Sequence, residues 1–189
     1  NKVVISCDGR VTEMVKKNAP QGARIVHVWA SGVGAKSKIK QIWALGKIGV
    51  SALALTLRFV VDRPSRVVAF GGYASVPAVF AAHMWKIPTF LHEQNAAIGR
   101  ANKFVMRWER TLMTSFPNVA GITNKNTRVV YTGLPVRRDF LDVAGASLTE
   151  NGKLLVTGGS LGAQILDDVV PQAIVAMKNK KIFVTHQTR

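Results

Sequence analysis

The chain has 189 residues, 48% of them apolar, and 26 Lys plus Arg against 10 Asp plus Glu give it a net charge of +16. That apolar content builds a core and excludes a disordered chain, while the charge selects anionic partners: nucleic acid, phosphorylated metabolites or anionic lipid. A single cysteine, Cys7, excludes an internal disulfide, and no paired Cys/His spacing supports a zinc site, so a reducing, cytosolic compartment is the default expectation.

Asn1 leads straight into "KVVIS" with no charged leader or apolar signal core, so the sequence reads as a piece of something longer. Short β-rich runs come in order: Val3 to Ser6, Arg24 to Trp29, Arg66 to Phe70, Thr89 to His92, Thr111 to Thr114, Arg128 to Thr132, Leu154 to Thr157 and Ile182 to Thr185. Between them, Ser37 to Val60, Pro77 to Trp85 and Ala163 to Met177 have helical spacing. Strands alternating with helices predict an α/β fold with a parallel sheet, and unalternated strands predict burial on both faces. The polar stretch from Gly133 to Gly152 is the predicted boundary, with a first domain at residues 1–136 and the start of a second at 137–189.

On a helical wheel, Lys40, Lys47 and Arg58 fall within about 20° of one another beside an arc of Ile39, Ile42, Trp43, Leu53 and Leu57. This predicts a basic, amphipathic helix, either an ordinary packed helix with a solvated face or one lying on an anionic membrane surface. Its uncharged stretch, Ile48 to Leu57, is about half of a ~20-residue membrane span, which argues against a transmembrane helix. Gly46 and Gly49 weaken its continuity.

In open parallel sheets ligands gather beyond the carboxyl ends of the strands. Three such places carry chemistry: "GGYASVPAVFAAH" after Phe70, "HEQNAAIG" after Leu91 and "TGGSLGA" after Val156. The last is a glycine turn into a helix whose free N–H groups favour a phosphate oxygen. It matches neither GxGxxG nor a P-loop, and each stretch has an ordinary reading as a tight connection or a capping network. "SGVGAKSK", Ser31 to Lys38, reads as a solvated connection. The histidines show no metal-ligand spacing, and no Ser/His/Asp order announces a hydrolase.

Taken together and in order, "FGGYASVPAVFAAHMWKIPTFLHEQNAAIGRANK", "FPN", "TGLPVRRDF" and "LLVTGGSLGAQILDDVVPQA" resemble the MurG family of peptidoglycan glycosyltransferases. The resemblance covers nearly all of the chain and is strongest from Phe70 to Ala173. It implies a GT-B architecture, a Rossmann-like parallel-sheet domain for a lipid acceptor plus the beginning of a second Rossmann-like domain for a nucleotide sugar. The implied activity is inverting, metal-independent transfer of N-acetylglucosamine from UDP-GlcNAc to the undecaprenyl-linked acceptor lipid I, giving lipid II, with no cofactor. By motif, Asn95, Arg137, Ser160, Gly158, Gly159 and Gly162 match donor-binding positions. Gly71, Gly72, Tyr73, Ser75, His92, Glu93 and Gln94 match the acceptor side, near the lipid diphosphate. Lys40, Trp43, Lys47, Arg58 and Trp85 match the region that rests on the cytoplasmic face of the inner membrane.

The resemblance also implies a preceding strand and GGTGGH-type loop, whose histidine is the usual candidate for assisting the acceptor hydroxyl, and a later segment that reads the sugar. Neither is among these residues, so no catalytic residue is assigned and the 189 residues alone are expected to transfer little or no GlcNAc. Val76 and Leu134 stand where the family pattern has glycine and asparagine. The competing readings are a nucleic-acid-binding module, which lacks interleaved aromatics and any RRM, KH or helix-turn-helix pattern, and a non-catalytic membrane-associating module. No nucleic acid is expected as a partner. A Rossmann oxidoreductase would need an acidic residue about 20 positions after its glycine turn, which is missing.

Overall fold

The computed structural model describes residues 2–30, 37–109, 111–124, 126–145, 152–159, 162–177 and 182–188. The chain divides into two compact units, Asn1–Pro135 and Val136–Arg189. The first runs β1 (Val4–Cys7), α1 (Thr12–Asn18), β2 (Arg24–His27), α2 (Lys38–Val61), β3 (Val67–Ala69), α3 (Val76–Met84), β4 (Thr89–Glu93), α4 (Arg100–Val105), β5 (Thr111–Thr114) and β6 (Arg128–Tyr131), with a short 3-10 turn over Tyr73–Ser75. The second runs α5 (Arg138–Asp142), β7 (Lys153–Val156), α6 (Gln164–Ala176) and β8 (Phe183–His186).

Every described strand pairing is parallel. β1 pairs with β2, β3 to β6 form one sheet in chain order, and β7 pairs with β8. The predicted α/β parallel fold is therefore present, with strand ends within a residue or two of the apolar runs. Continuous burial holds only in the middle strands β4 and β5. β4 is buried or half-buried throughout, whereas each strand of the separate pair β7 and β8 has at least two exposed residues. The core of the first unit gathers Val79, Leu91, Val105, Met106 and Leu112 around the middle strands. A second cluster joins Val28, Leu55, Phe59, Ala81, Ala82 and Ile87 beneath α2.

α2 is one unbroken helix of 24 residues, Gly46 and Gly49 included. It is long and apolar enough, by length and composition, to cross a membrane, which the short uncharged stretch did not suggest. One face packs as a core helix does: Leu55 and Phe59 press on α3, and Ser51 accepts the Trp29 amide at 2.8 Å and donates to the Trp29 carbonyl at 3.1 Å. The opposite face is just as apolar, yet Ile39, Ile42, Trp43, Leu53, Leu57 and Val60 are 61–69% exposed. Lys40 and Lys47 stand exposed along one flank, and Arg58, half-buried, pairs with Asp62 at 3.7 Å. The helix thus has two apolar faces where the wheel suggested a single one.

Candidate functional site

β3 delivers the chain to Gly71 and Gly72, whose φ angles of +79° and +70° are left-handed and suit glycine. Ser75 then donates to the Gly72 carbonyl at 2.8 Å, closing the turn into α3. Val76, at the start of α3, has φ −56° and ψ −47°, ordinary helical angles, so the backbone there has no need of glycine.

Glu93 ends β4 and organises the loop between that strand and α4. It is 2% exposed, and its carboxylate accepts four hydrogen bonds. Oε1 receives the Asn95 amide at 3.1 Å and Asn95 Nδ2 at 2.9 Å; Oε2 receives the Gly99 amide at 2.8 Å and Asn102 Nδ2 at 3.0 Å. Burial alone would raise this carboxyl, but the Gly99, Asn102 and Asn95 donors outweigh it and hold it below the ordinary glutamate value. Asn102, itself buried, also donates to the His92 carbonyl at 3.0 Å, so α4 is tied to the end of β4.

His92 and Gln94 act in the same way on the other side. Gln94 Nε2 donates to the Phe70 carbonyl at 2.9 Å and lies 3.3 Å from His92 Nδ1. With Nδ1 accepting from Gln94, the tautomer consistent with this network carries its proton on Nε2, which then donates to the Gly133 carbonyl at 3.2 Å. His92 is thus built beneath the site and the buried Glu93 into its wall, where they clamp three loops together, while Gln94 and Asn95 also line it.

The result is a cavity of about 370 Å³ at the carboxyl ends of β3 and β4, lined by Gly71, Gly72, Tyr73, Asn95, Arg100 and Asn102 among others. It brings Asn95 together with Gly71, Gly72, Tyr73, Glu93 and Gln94 of the predicted acceptor side, while Ser75 and His92 do not line it. The oxygens of its one lining acid, Glu93, are turned inward to four donors, and the exposed guanidinium of Arg100 is the cation among its lining residues. Arg100, Gly99 and Asn102 were missed as site residues. The signal was present in "IGRANK", a glycine and a helix start just after "HEQN", but only the fold brings them back onto β4.

Gly71 makes a specific demand. A Cβ there would lie 3.2 Å from Asn102 Nδ2, on a backbone that disfavours any side chain. Gly71→Ala should destabilise the chain by roughly 1–3 kcal/mol and loosen the Asn102 to Glu93 bond. Urea denaturation checks the first effect, and the Asn102 side-chain amide resonances check the second.

In the second unit, Ser160 lies outside the described residues; Gly158, Gly159 and Gly162 lie within them. A Cβ on Gly158 would fall 2.7 Å from the Ala163 Cβ and against its backbone nitrogen, so the turn after β7 closes only with glycine there. Gly162 donates its amide to the Gly159 carbonyl at 3.1 Å. Gln187, one residue past β8, donates to the same carbonyl at 3.0 Å and accepts from Thr157 at 2.7 Å, a support that no sequence pattern announces. Arg137 stands at the N-cap position of α5 without a side-chain capping bond, its guanidinium 5.3 Å from the Phe140 ring centre. Trp85, matched by motif to a membrane-facing region, is half-buried and donates its indole N–H to the Thr56 carbonyl of α2 at 2.9 Å. Among the described residues no group of three or more His, Cys, Asp or Glu converges as a metal would require.

Known proteins share these features. Residues 6–114 match the Glycosyltransferase family 28 N-terminal domain. The chain is 38% identical over 154 residues to the UDP-N-acetylglucosamine--N-acetylmuramyl-(pentapeptide) pyrophosphoryl-undecaprenol N-acetylglucosamine transferase of Paramagnetospirillum magneticum, covering 78% of this chain and 42% of that protein. It is 35% identical over 200 residues to the protein of the same name from Methylobacterium sp. (strain 4-46), covering 100% of this chain and 52% of the other. The crystal structure of Acinetobacter baumannii MurG superposes with a TM-score of 0.66 at 26% identity, over 98% of this chain and 51% of that one. The chain therefore spans about half the length of the curated relatives it matches. A parallel α/β unit with a glycine loop at its strand ends, a family match across most of that unit and a MurG fold neighbour lead to one conclusion: the chain belongs to glycosyltransferase family 28.

Proposed function

We propose that this chain carries the acceptor-binding unit and the start of the donor-binding unit of a transferase that moves N-acetylglucosamine from UDP-GlcNAc to lipid I. The observation that carries the reading is the cavity at the ends of β3 and β4. Its one lining acid, Glu93, is buried and its oxygens are occupied by four donors, and the cavity offers the exposed Arg100 and the Gly71–Gly72 turn to an anionic ligand such as a lipid diphosphate. The relatives' names supply the substrates.

In such a transfer an acceptor hydroxyl attacks the anomeric carbon as the bond to UDP breaks, and negative charge grows on the departing diphosphate. The start of α6, which follows the glycine turn at Gly158, offers backbone N–H groups, and Arg137 a cation, for that charge. The exposed apolar face of α2, flanked by Lys40 and Lys47, is the surface on which this reading rests the protein against the cytoplasmic leaflet.

Titrating a short-chain, soluble lipid I analogue into the chain tests the acceptor half by calorimetry. Saturable binding is expected, weakened roughly tenfold by Arg100→Ala, the usual loss for a charge-assisted contact to phosphate. A folded chain that binds neither the analogue nor UDP-GlcNAc would overturn the reading. Tight binding to nucleic acid that falls steeply with salt would favour the nucleic-acid alternative instead.

A further inference from the structure

At the opposite ends of the same strands lies a second cavity of about 350 Å³, at the close of α3 and the starts of β4 and β5. Thr89 opens β4 and Glu93 closes it, so about 13 Å of strand separates this cavity from the glycine-loop site. The proposed transferase function makes no use of it.

Its walls include Phe90 and Trp108, exposed His83 and Lys86 stand at it, and the one acid among its lining residues is Glu109. Glu109 is 8% exposed, and among the described residues no hydrogen bond or ion pair reaches its carboxyl. The contrast with Glu93, equally buried but holding four donors, is direct. Burial pushes the Glu109 carboxyl up to about 7, so near neutral pH it is poised to ionise as soon as a cation arrives. A buried acid without a partner is a standing cost, and a protein that keeps one beside an open cavity has a place for a donor supplied from outside.

Trp108 makes the second part of the argument. Its ring is held edge-on by Phe104 at 5.2 Å and Phe80 at 5.8 Å, with the His83 ring 6.0 Å from its centre and the Arg107 guanidinium 5.9 Å from it, so it forms, beside the acid, an aromatic wall that already receives a cation. A carboxylate next to an indole face recognises an ammonium group by charge and by cation–π attraction. Lys86 takes a left-handed φ of +52° at the end of α3, its amide bonded to the His83 carbonyl at 3.0 Å, a conformation uncommon for a residue with a side chain. Cationic Lys86, with His83 beside it, would repel a simple amine but welcomes an anion.

We propose that this cavity binds a small zwitterion of the phosphoethanolamine type, its primary ammonium on Glu109 and Trp108 and its phosphate on Lys86 and His83. The same chemistry occurs free in solution and as the headgroup of a phospholipid.

Titration of the full chain with O-phosphoethanolamine, followed by Trp108 indole and backbone NMR shifts, tests this. Saturable shifts at Trp108, Glu109 and Lys86 are expected. Glu109→Gln, which keeps shape and removes a buried unpaired acid, should weaken binding roughly tenfold or more, and Lys86→Ala severalfold. Phosphocholine, which has no N–H to donate, and inorganic phosphate alone should each bind at least tenfold more weakly than phosphoethanolamine. Equal binding by Glu109→Gln, equal binding of phosphate alone, or no saturable shift in the folded chain would overturn the proposal. Vesicles separate the two sources. Stronger binding to phosphatidylethanolamine than to phosphatidylcholine vesicles, lost in Glu109→Gln, assigns the headgroup; soluble binding without that difference assigns the free compound.

Discussion

Glu93→Ala should destabilise the first unit by roughly 3–5 kcal/mol, a large share of the 5–15 kcal/mol that holds a typical domain together. The carboxylate is buried and accepts from Asn95 twice, from the Gly99 amide and from Asn102. Its removal strands several buried donors, each costing about 1–3 kcal/mol, less what water recovers. Glu93→Gln keeps one acceptor oxygen and turns the other into a donor that faces donors, so it should recover only part of the loss. The pH dependence has a definite sign. Because the folded carboxyl sits below its ordinary value of 4.5, its contribution is present above that value and is lost as pH falls through the lower, folded value. Wild-type stability in urea should therefore drop on acidification across that range more steeply than that of Glu93→Gln. Parallel curves would show that Glu93 is not a clamp.

The second large effect concerns α2. Leu53→Glu combined with Leu57→Glu should lower binding to anionic vesicles by at least a hundredfold in a flotation assay while leaving the fold intact. Both side chains are exposed, 62% and 61%, so their replacement removes no core contact. Each leucine that enters the acyl boundary contributes about 1.5–3 kcal/mol, and each added carboxylate is repelled by the headgroups. Reversing Lys40 and Lys47 to Glu should weaken binding through charge alone, by about 1 kcal/mol for each cation lost before repulsion is counted, and in a salt-dependent way. By contrast Leu55, on the buried face of the same helix, should report on folding and not on vesicles. If the double leucine variant floats as the wild type does, the exposed face of α2 serves something other than a membrane.

Much of the fold was legible in the residues. Each strand surfaced as a short apolar, β-branched run bounded by turn residues, and the turn at Gly158 showed because only glycine tolerates the approach of Ala163. Short helices escaped: α1, α4 and α5 have five to seven residues each, too few for a periodic pattern to stand out. The site was legible as three separate motifs and not as an arrangement. "HEQN" reads as four ligand-facing polar groups, yet His92 and Glu93 are buried scaffolding and Arg100, never singled out, faces the cavity.

Sequence alone determined the class of fold and the order of the motifs, because apolar periodicity, glycine turns and their spacing are local properties carried by neighbouring residues, while the family entered through the resemblance of the quoted stretches taken together. Tertiary structure decided which polar groups are spent and which are free. Glu93 and Glu109 are the same residue type with nearly the same exposure, 2% and 8%, and differ in the donors that the folded loop and helix after β4 turn back onto Glu93 and that Glu109 lacks. A carboxylate's chemistry is set by what surrounds it in space, and that is the information a linear sequence does not display.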